Sequence, residues 1–335
     1  MARIVLGVGT SHGPMLSTPP AQWDLRAGAD RANPRHAYRG EWLDFATLGA
    51  RRGRDFSPQA ALPERQQRHD RCQRALDTLA QRVRAAAPDV VVIVGNDQRE
   101  VFQDDLTAAF TVFSGASIPN LALDEARRAR LPPGIALAEH GHCPPGGATY
   151  SGASDLARAL VRSLTAQGFD VAQSARFAGG ADRQSGIPHA FGFIYRRILQ
   201  DTPPPSIPVF VNGGVSDNIP GAARCLAFGH ALGRAVEDWD ADIRVALIAS
   251  GGWTHFVVDE DLDERFLAGF SAHDEAALAA IAEPLFHGNT SEMKNWYPVA
   301  AAMHDAQRKF HLIDYVPCYR SEAGTGNAMG FAVWE

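Results

Sequence analysis

Two runs of apolar, largely β-branched residues set the strongest limit on what this chain can become. Val90-Val91-Val92-Ile93-Val94 and Ile243-Arg244-Val245-Ala246-Leu247-Ile248-Ala249-Ser250 lack the polar alternation of a strand with one wet face. Such strands are covered on both sides, as in sheets packed between layers of helix. Each run stops at a polar loop, Gly95-Asn96-Asp97-Gln98 in one case and Gly251-Gly252-Trp253-Thr254-His255 in the other. The opening Ile4-Val5-Leu6-Gly7-Val8-Gly9 leads in the same way into Thr10-Ser11-His12-Gly13-Pro14, and Ile207-Pro208-Val209-Phe210-Val211 leads into Asn212. Helical stretches separate them. In 63–87, Cys72, Leu76, Leu79 and Val83 recur at helical spacing behind Pro63, and further helices are expected at about 154–167 and 221–238. A strand should begin at Phe169-Asp170-Val171, and 187–199 mixes a polar entry with a helical stretch. The alternation predicts the α/β class: a mixed or mostly parallel central sheet flanked by helices, with the active site at the strands' carboxyl ends. The last third is expected to be mostly helical, closing on Glu322-Ala323-Gly324-Thr325-Gly326-Asn327-Ala328 and a final apolar strand.

Residues 19–57 interrupt the pattern. They are rich in Arg, Asp, Gly and Pro without a steady period, and read as a long irregular excursion with one short helix, of the kind that covers a site or an interface. At 335 residues and 45% hydrophobic content, the chain fits a single domain over 1–335 with an insertion at about 19–60, although two fused halves would also fit. The formal net charge of -6 is scattered, which argues against a nucleic-acid partner. No run approaches the ~18 apolar residues of a membrane span, and Met1-Ala2-Arg3-Ile4-Val5 leads straight into a strand, so a soluble, cytoplasmic protein is expected. Cys72, Cys143, Cys225 and Cys318 form no CxxC pair, against both a disulfide framework and a structural zinc site.

Three histidines could carry chemistry. His12, His189 and His255 each lie in a Gly- or Pro-containing loop near an element boundary, where a side chain can enter a cleft. Any one of them alone reads as a capping or hydrogen-bonded structural residue; convergence at one sheet edge would make them a site. His140 and His142, in Glu139-His140-Gly141-His142-Cys143, have the composition of a metal-binding tract and are read mainly as loop residues, with lining of the entrance as the lesser alternative.

Four segments, Gly9-Thr10-Ser11-His12, Gly186-Ile187-Pro188-His189-Ala190-Phe191-Gly192, Ser250-Gly251-Gly252-Trp253-Thr254-His255, and 292–296 with the Gly-rich end, resemble in order and spacing the class III extradiol ring-cleavage dioxygenases of the protocatechuate 4,5-dioxygenase catalytic-subunit type. The resemblance implies a non-haem Fe(II) held by two histidines and a glutamate, with open positions for a catecholate and O₂. It places the first ligand on His12, the acid/base histidine on His189 and a further active-site histidine on His255.

Two positions depart from the family pattern. Where the second iron-binding histidine would follow the first β-branched run, the chain reads Asn96-Asp97-Gln98, and an amide oxygen is a poorer ligand than imidazole. The glutamate ligand would fall in Asp259-Glu260-Asp261-Leu262-Asp263, with Asp261 the match by spacing and Glu260 the alternative; a solvated helix N-terminus explains the same acidic run. His69, on the intervening helix, is the alternative to Gln98. The resemblance thus implies extradiol cleavage of an aromatic vicinal diol (protocatechuate-, gallate- or catechol-like) by O₂, with metal on His12, Asp261 and either Gln98 or His69. A second reading keeps the pocket with another divalent metal or none, and uses His189 and His255 as an acid/base pair for hydrolysis or a lyase reaction on a phenolic or ring-opened acid. A third is a non-catalytic partner subunit. A homo-oligomer or hetero-oligomer is expected.

Overall fold

The computed structural model describes residues 1–179, 186–214 and 217–335. The chain opens with β1 (Arg3–Thr10), and the excursion that follows holds a helix α1 (Asp24–Ala32), a hairpin of β2 (His36–Tyr38) and β3 (Glu41–Leu43), and α2 (Phe45–Arg52). The excursion is therefore more ordered than its composition implies. Asp44 caps α2 by accepting from the Thr47 N–H at 2.7 Å, and α2 ends at Gly53 with a left-handed φ of 66°. Next come α3 (Leu62–Ala86), β4 (Val90–Gly95), β5 (Phe110–Phe113) and β6 (Ser117–Asn120). The run continues through α4 (Glu125–Arg130), β7 (Ala148–Ser151), α5 (Ser154–Ala166), β8 (Ala172–Ser174), α6 (His189–Phe193) and β9 (Ser206–Val211). The remainder is α7 (Ala222–Glu237), β10 (Arg244–Ser250), β11 (His255–Val257), α8 (Glu260–Ala272), α9 (Glu275–Ala279), α10 (Trp296–Asp305), β12 (Phe310–Tyr319) and β13 (Thr325–Trp334).

One nine-stranded sheet organises these elements in the order β11-β13-β1-β10-β4-β9-β5-β8, with β12 pairing β13. The centre, β1-β10-β4-β9, is parallel, while β13 runs antiparallel to β1, β11 and β12, and β5 runs antiparallel to β9. The α/β class with a mixed, mostly parallel sheet flanked by helices is thus what the sequence pattern predicts.

Alternate side chains of the central strands feed two cores. Val90, Val92 and Val94 with Val245, Leu247 and Ala249 pack with α5, α7 and α10 on one face. Val91, Ile93, Ala246 and Ile248 pack with α3 and α6 on the other. Each such Val, Leu or Ile side chain, moved wholly out of water, contributes roughly 1.5–3 kcal/mol, and a one-residue slip would exchange the two cores. The apolar stripe Cys72, Leu76, Leu79 and Val83 of α3 is buried as its spacing requires.

The C-terminal third departs from expectation. The final apolar strand is present as β13, but it pairs with an unexpected strand, β12, in place of more helix, through nine residue pairs from Phe310↔Trp334 to Tyr319↔Gly326 with a register shift between Leu312 and Asp314. The partly exposed strand β12 contains His311, Asp314 and Pro317, and β13 contains two glycines, so neither presents a clear apolar period. The strand expected at Phe169 begins at Ala172 instead. Among the described residues, no helix is long and apolar enough to cross a membrane.

A candidate active site at the carboxyl edge of the sheet

Because β1, β4 and β10 are parallel neighbours, their carboxyl ends meet at one edge, and the loops after them line a cavity of about 420 Å³. His12 enters from the β1 loop, Gln98 and Glu100 from the β4 loop, and His255 from the first position of β11, after the β10 loop. His189, the first residue of α6, completes the set of expected histidines. The structure therefore brings His12, His189, His255 and Gln98 together.

It does not bring Asp261, Glu260 or His69. Asp261 lies in the first turn of α8 with its side chain 83% exposed and pairs with Arg39 at 2.6 Å. Glu260 accepts from the Tyr319 hydroxyl. His69 remains on α3 beside Trp23 and Gln73 and does not line the cavity. The acidic run serves a helix N-terminus and the excursion, through Arg39, instead of a metal. Its buried member is Asp263, which accepts from the Thr254 N–H (3.0 Å), the Thr254 hydroxyl (2.7 Å) and the Tyr315 hydroxyl (2.6 Å), and so fixes the turn that presents His255.

The carboxylate among the histidines is Glu292, in the 3-10 stretch Gly288–Asn295. Asn295 Nδ2 donates to Asn96 Oδ1 at 3.0 Å and to the Ser250 carbonyl at 2.7 Å, and Trp296 Nε1 donates to the Gly251 carbonyl at 2.9 Å. These bonds tie the stretch to the ends of β4 and β10. Gly251 is required for this approach: a Cβ there would stand 2.3 Å from the Glu292 carbonyl oxygen. The signal in the sequence was a lone carboxylate in the segment 292–296.

Hydrogen bonds settle which imidazole nitrogens carry protons. Ser250 Oγ donates to the Ala190 carbonyl at 2.6 Å, so it can only accept from His12 Nδ1, 3.0 Å away. His255 Nδ1 lies 2.6 Å from the Trp253 carbonyl, which is an acceptor, and must therefore be the donor. In neutral imidazoles both Nε2 atoms then present lone pairs, at 3.4 Å (His12) and 3.5 Å (His255) from Glu292 Oε2. Burial, against the pull of Glu292, lowers the His12 pKa to about 4, so His12 is neutral at pH 7. Burial also opposes ionisation of Glu292, but His12 and His255, when they carry a proton toward it, and the Gly252 N–H hold its carboxyl well below the ordinary range.

Three electron-pair donors facing one another are a poor arrangement without a cation among them. Cis ligands about 2.1 Å from one ion stand roughly 3.0–3.4 Å apart, close to both measured edges. Among the described residues no group of three or more His, Cys, Asp or Glu side chains stands already placed to hold a metal ion, so the fit rests on the type of donor and not on a formed site. The donor chemistry fits a divalent metal. Gln98 takes a different part: its Nε2 donates to Glu292 Oε1 at 2.6 Å, leaving Oε2 toward the histidines.

Beside His12, with ring centroids 5.1 Å apart, His189 belongs to a charged pair. His189 Nδ1 lies 2.5 Å from Glu100 Oε1, and the His189 backbone N–H donates to Oε2. Burial works against a charge on His189, but Glu100 outweighs it and raises the pKa to about 9. Glu100 is placed by Asp97, which accepts from the backbone N–H groups of Glu100, Val101 and Phe102 and closes the loop. His142 sits 5.9 Å from His189, ring to ring, and burial with its cationic neighbour lowers its pKa to about 4. His140 is turned to the Leu137 carbonyl and does not line the cavity. Phe193, Phe256, Leu131 and Ile135 make an apolar wall, and Arg127 and Arg130 also line the space.

The chain is 29% identical over 185 residues to a 2,3-dihydroxyphenylpropionate/2,3-dihydroxicinnamic acid 1,2-dioxygenase of Comamonas testosteroni, covering 54% of this chain and 49% of that protein. It is 31% identical over 127 residues to a gallate dioxygenase of Pseudomonas putida, covering 37% and 35%. The chain thus spans about half or less of the length of these curated relatives. A crystal structure of the uncharacterized protein JW3007 from Escherichia coli K12 superposes on 98% of this chain and 99% of its own, with TM-score 0.49 and 14% identity. The family model described as the catalytic LigB subunit of aromatic ring-opening dioxygenase matches residues 58–319, a stretch that carries Gln98, Glu100, His189, His255 and Glu292, and the chain belongs to that family.

Proposed function

We propose that this protein is an extradiol-type dioxygenase that opens an aromatic vicinal diol with O₂, using a divalent metal, Fe(II), at the His12–His255–Glu292 edge of the cavity. The observation that carries this reading is the convergence of two Nε2 lone pairs and a carboxylate oxygen beside a proton-bearing His189–Glu100 pair. Family membership and the relatives' printed activities support it. A bound Fe(II) would supply the redox chemistry that O₂ requires and a Lewis-acid seat for two adjacent hydroxyls.

The protein's own groups account for the rest. The apolar wall shelters a ring, and a cavity of about 420 Å³ is of the size that holds one small molecule. Ser250 and the Trp253 carbonyl fix the ring orientations of His12 and His255, while Gln98 holds the far oxygen of Glu292. His189, charged at neutral pH, enters as a proton donor to a ligand oxygen, with Glu100 retaining the charge balance. Arg127 and Arg130 favour a substrate bearing an acidic substituent, of the protocatechuate or gallate kind. The test is O₂ uptake by protein loaded anaerobically with Fe(II), then offered catechol, protocatechuate and gallate in air. Uptake with at least one diol is expected; iron bound without any uptake, or no iron bound, would refute the proposal.

A further inference from the structure

Among the described residues, two buried polar side chains of the cavity, Ser17 and Asn327, have a group without a hydrogen-bond partner, and Asn327 is the one whose donor is held in a fixed direction. Asn327, 1% exposed, stands on β13 directly across from His255 and lines the cavity. Its Oδ1 accepts from Arg320 Nη1 at 3.0 Å. Arg320 is wholly buried and clamped by Asp30, which accepts from Nε at 2.6 Å and from Nη2 at 2.9 Å; Thr325 Oγ1 donates to the same carboxylate at 2.6 Å. Because a guanidinium can only donate, this lock forces the amide oxygen toward Arg320 and turns the NH₂ away from it. That Nδ2 makes no hydrogen bond among the described residues.

The NH₂ faces the chain beside His12. A Cβ on Gly13 would stand 2.9 Å from Asn327 Nδ2, and the Gly13 φ of -55° is one any residue adopts. The glycine is therefore needed for the amide and not for the backbone. A buried donor left unpaired is unfavourable, and the penalty is relieved when an acceptor arrives. The anchor of the lock, Asp30, lies on α1, inside the 19–57 excursion.

We propose that Asn327 Nδ2 donates a hydrogen bond to an anionic oxygen of the bound diol, and that Asp30, acting through Arg320, is the positioning residue that aims it. The excursion is on this account part of the binding site. The proposal rests on reading the cavity as a diol site, and the experiment separates the two. Under anaerobic conditions, protein carrying its metal is titrated with 4-nitrocatechol, whose colour reports both binding and ionisation. Asn327→Ala should weaken binding roughly ten- to hundred-fold, the range for a lost hydrogen bond to a charged group. It should also raise the pH at which the bound dye ionises, a shift that a merely structural role would not produce. Asn327→Asp keeps an acceptor for Arg320, and so the fold, but replaces the donor with a negative charge; it should bind more weakly still. Asp30→Asn should shift the dye's ionisation in the same direction by a smaller amount. Folded variants with unchanged metal content that bind and ionise the dye as wild type does would overturn the role of Asn327 alone. Wild-type protein that fails to bind the dye would overturn the diol reading as well.

Discussion

Replacing Glu100 with glutamine perturbs the best-defined charge pair of the site. In the native protein the carboxylate 2.5 Å from Nδ1 raises the His189 pKa from 6.5 to about 9 against the opposing effect of burial. At roughly 1.4 kcal/mol per pH unit, this corresponds to about 3 kcal/mol in favour of the protonated imidazole. Neither side chain is highly exposed, at 28% for His189 and 25% for Glu100, so most of that should survive solvent screening. Glu100→Gln leaves burial in place and removes the compensating charge, so the His189 pKa should fall below 6.5. At about pH 7.5 the ring should change from roughly thirty to one protonated to mostly neutral.

The linkage has a definite sign. A pKa raised on folding stabilises the protein fully below about 6.5 and loses that contribution as pH rises through about 9. The lowered pKa of Glu100 contributes above its ordinary 4.5 and is lost as pH falls through the folded value. Wild type should thus exceed Glu100→Gln in stability by a few kcal/mol near about pH 6, and the gap should narrow by about pH 10. The assay is a ring-NMR titration of His189 in chelator-treated protein, paired with urea unfolding at those two pH values. A wild-type His189 titrating near 6.5, or at the same pH in both proteins, would refute the reasoning.

Further outcomes follow from the same geometry. Glu292→Gln should weaken divalent-metal binding, measured by calorimetry, by at least roughly 10–100-fold, while Asp261→Ala, which alters only an exposed pair with Arg39, should leave it unchanged. Asp263→Asn should destabilise the fold by about 1–3 kcal/mol in chemical denaturation, since a neutral amide cannot accept all three bonds from Thr254 and Tyr315 as a carboxylate does. In turnover assays, loss of the charged donor should make activity fall as pH rises through about 9, and Glu100→Gln should move that fall to lower pH.

His12, Gln98 and His255 share one property: each follows an apolar run whose end the sheet must bring to a common edge. His12 and the β4 and β10 loops were legible for that reason, because two-sided burial fixes a parallel sheet and a parallel sheet aligns its carboxyl ends. Glu292 was less legible. It sits in a 3-10 stretch without periodicity, and its place depends on side-chain bonds from Asn295 and Trp296 that no local pattern encodes. Asp261 drew the carboxylate assignment through its spacing in the family pattern, yet the acidic run around it belongs to the first turn of α8 and to Arg39. Likewise, Asn327 carries no chemical signal of its own. Only the distant Asp30 and Arg320 give its amide a direction.

The most direct test of the central claim is the fate of the oxygen atoms. Fe(II)-loaded protein should convert a vicinal diol under ¹⁸O₂ to a ring-opened product, with mass spectrometry finding both labelled atoms in it. A product whose new oxygen comes from water, or a diol recovered intact from iron-loaded protein, would contradict the account.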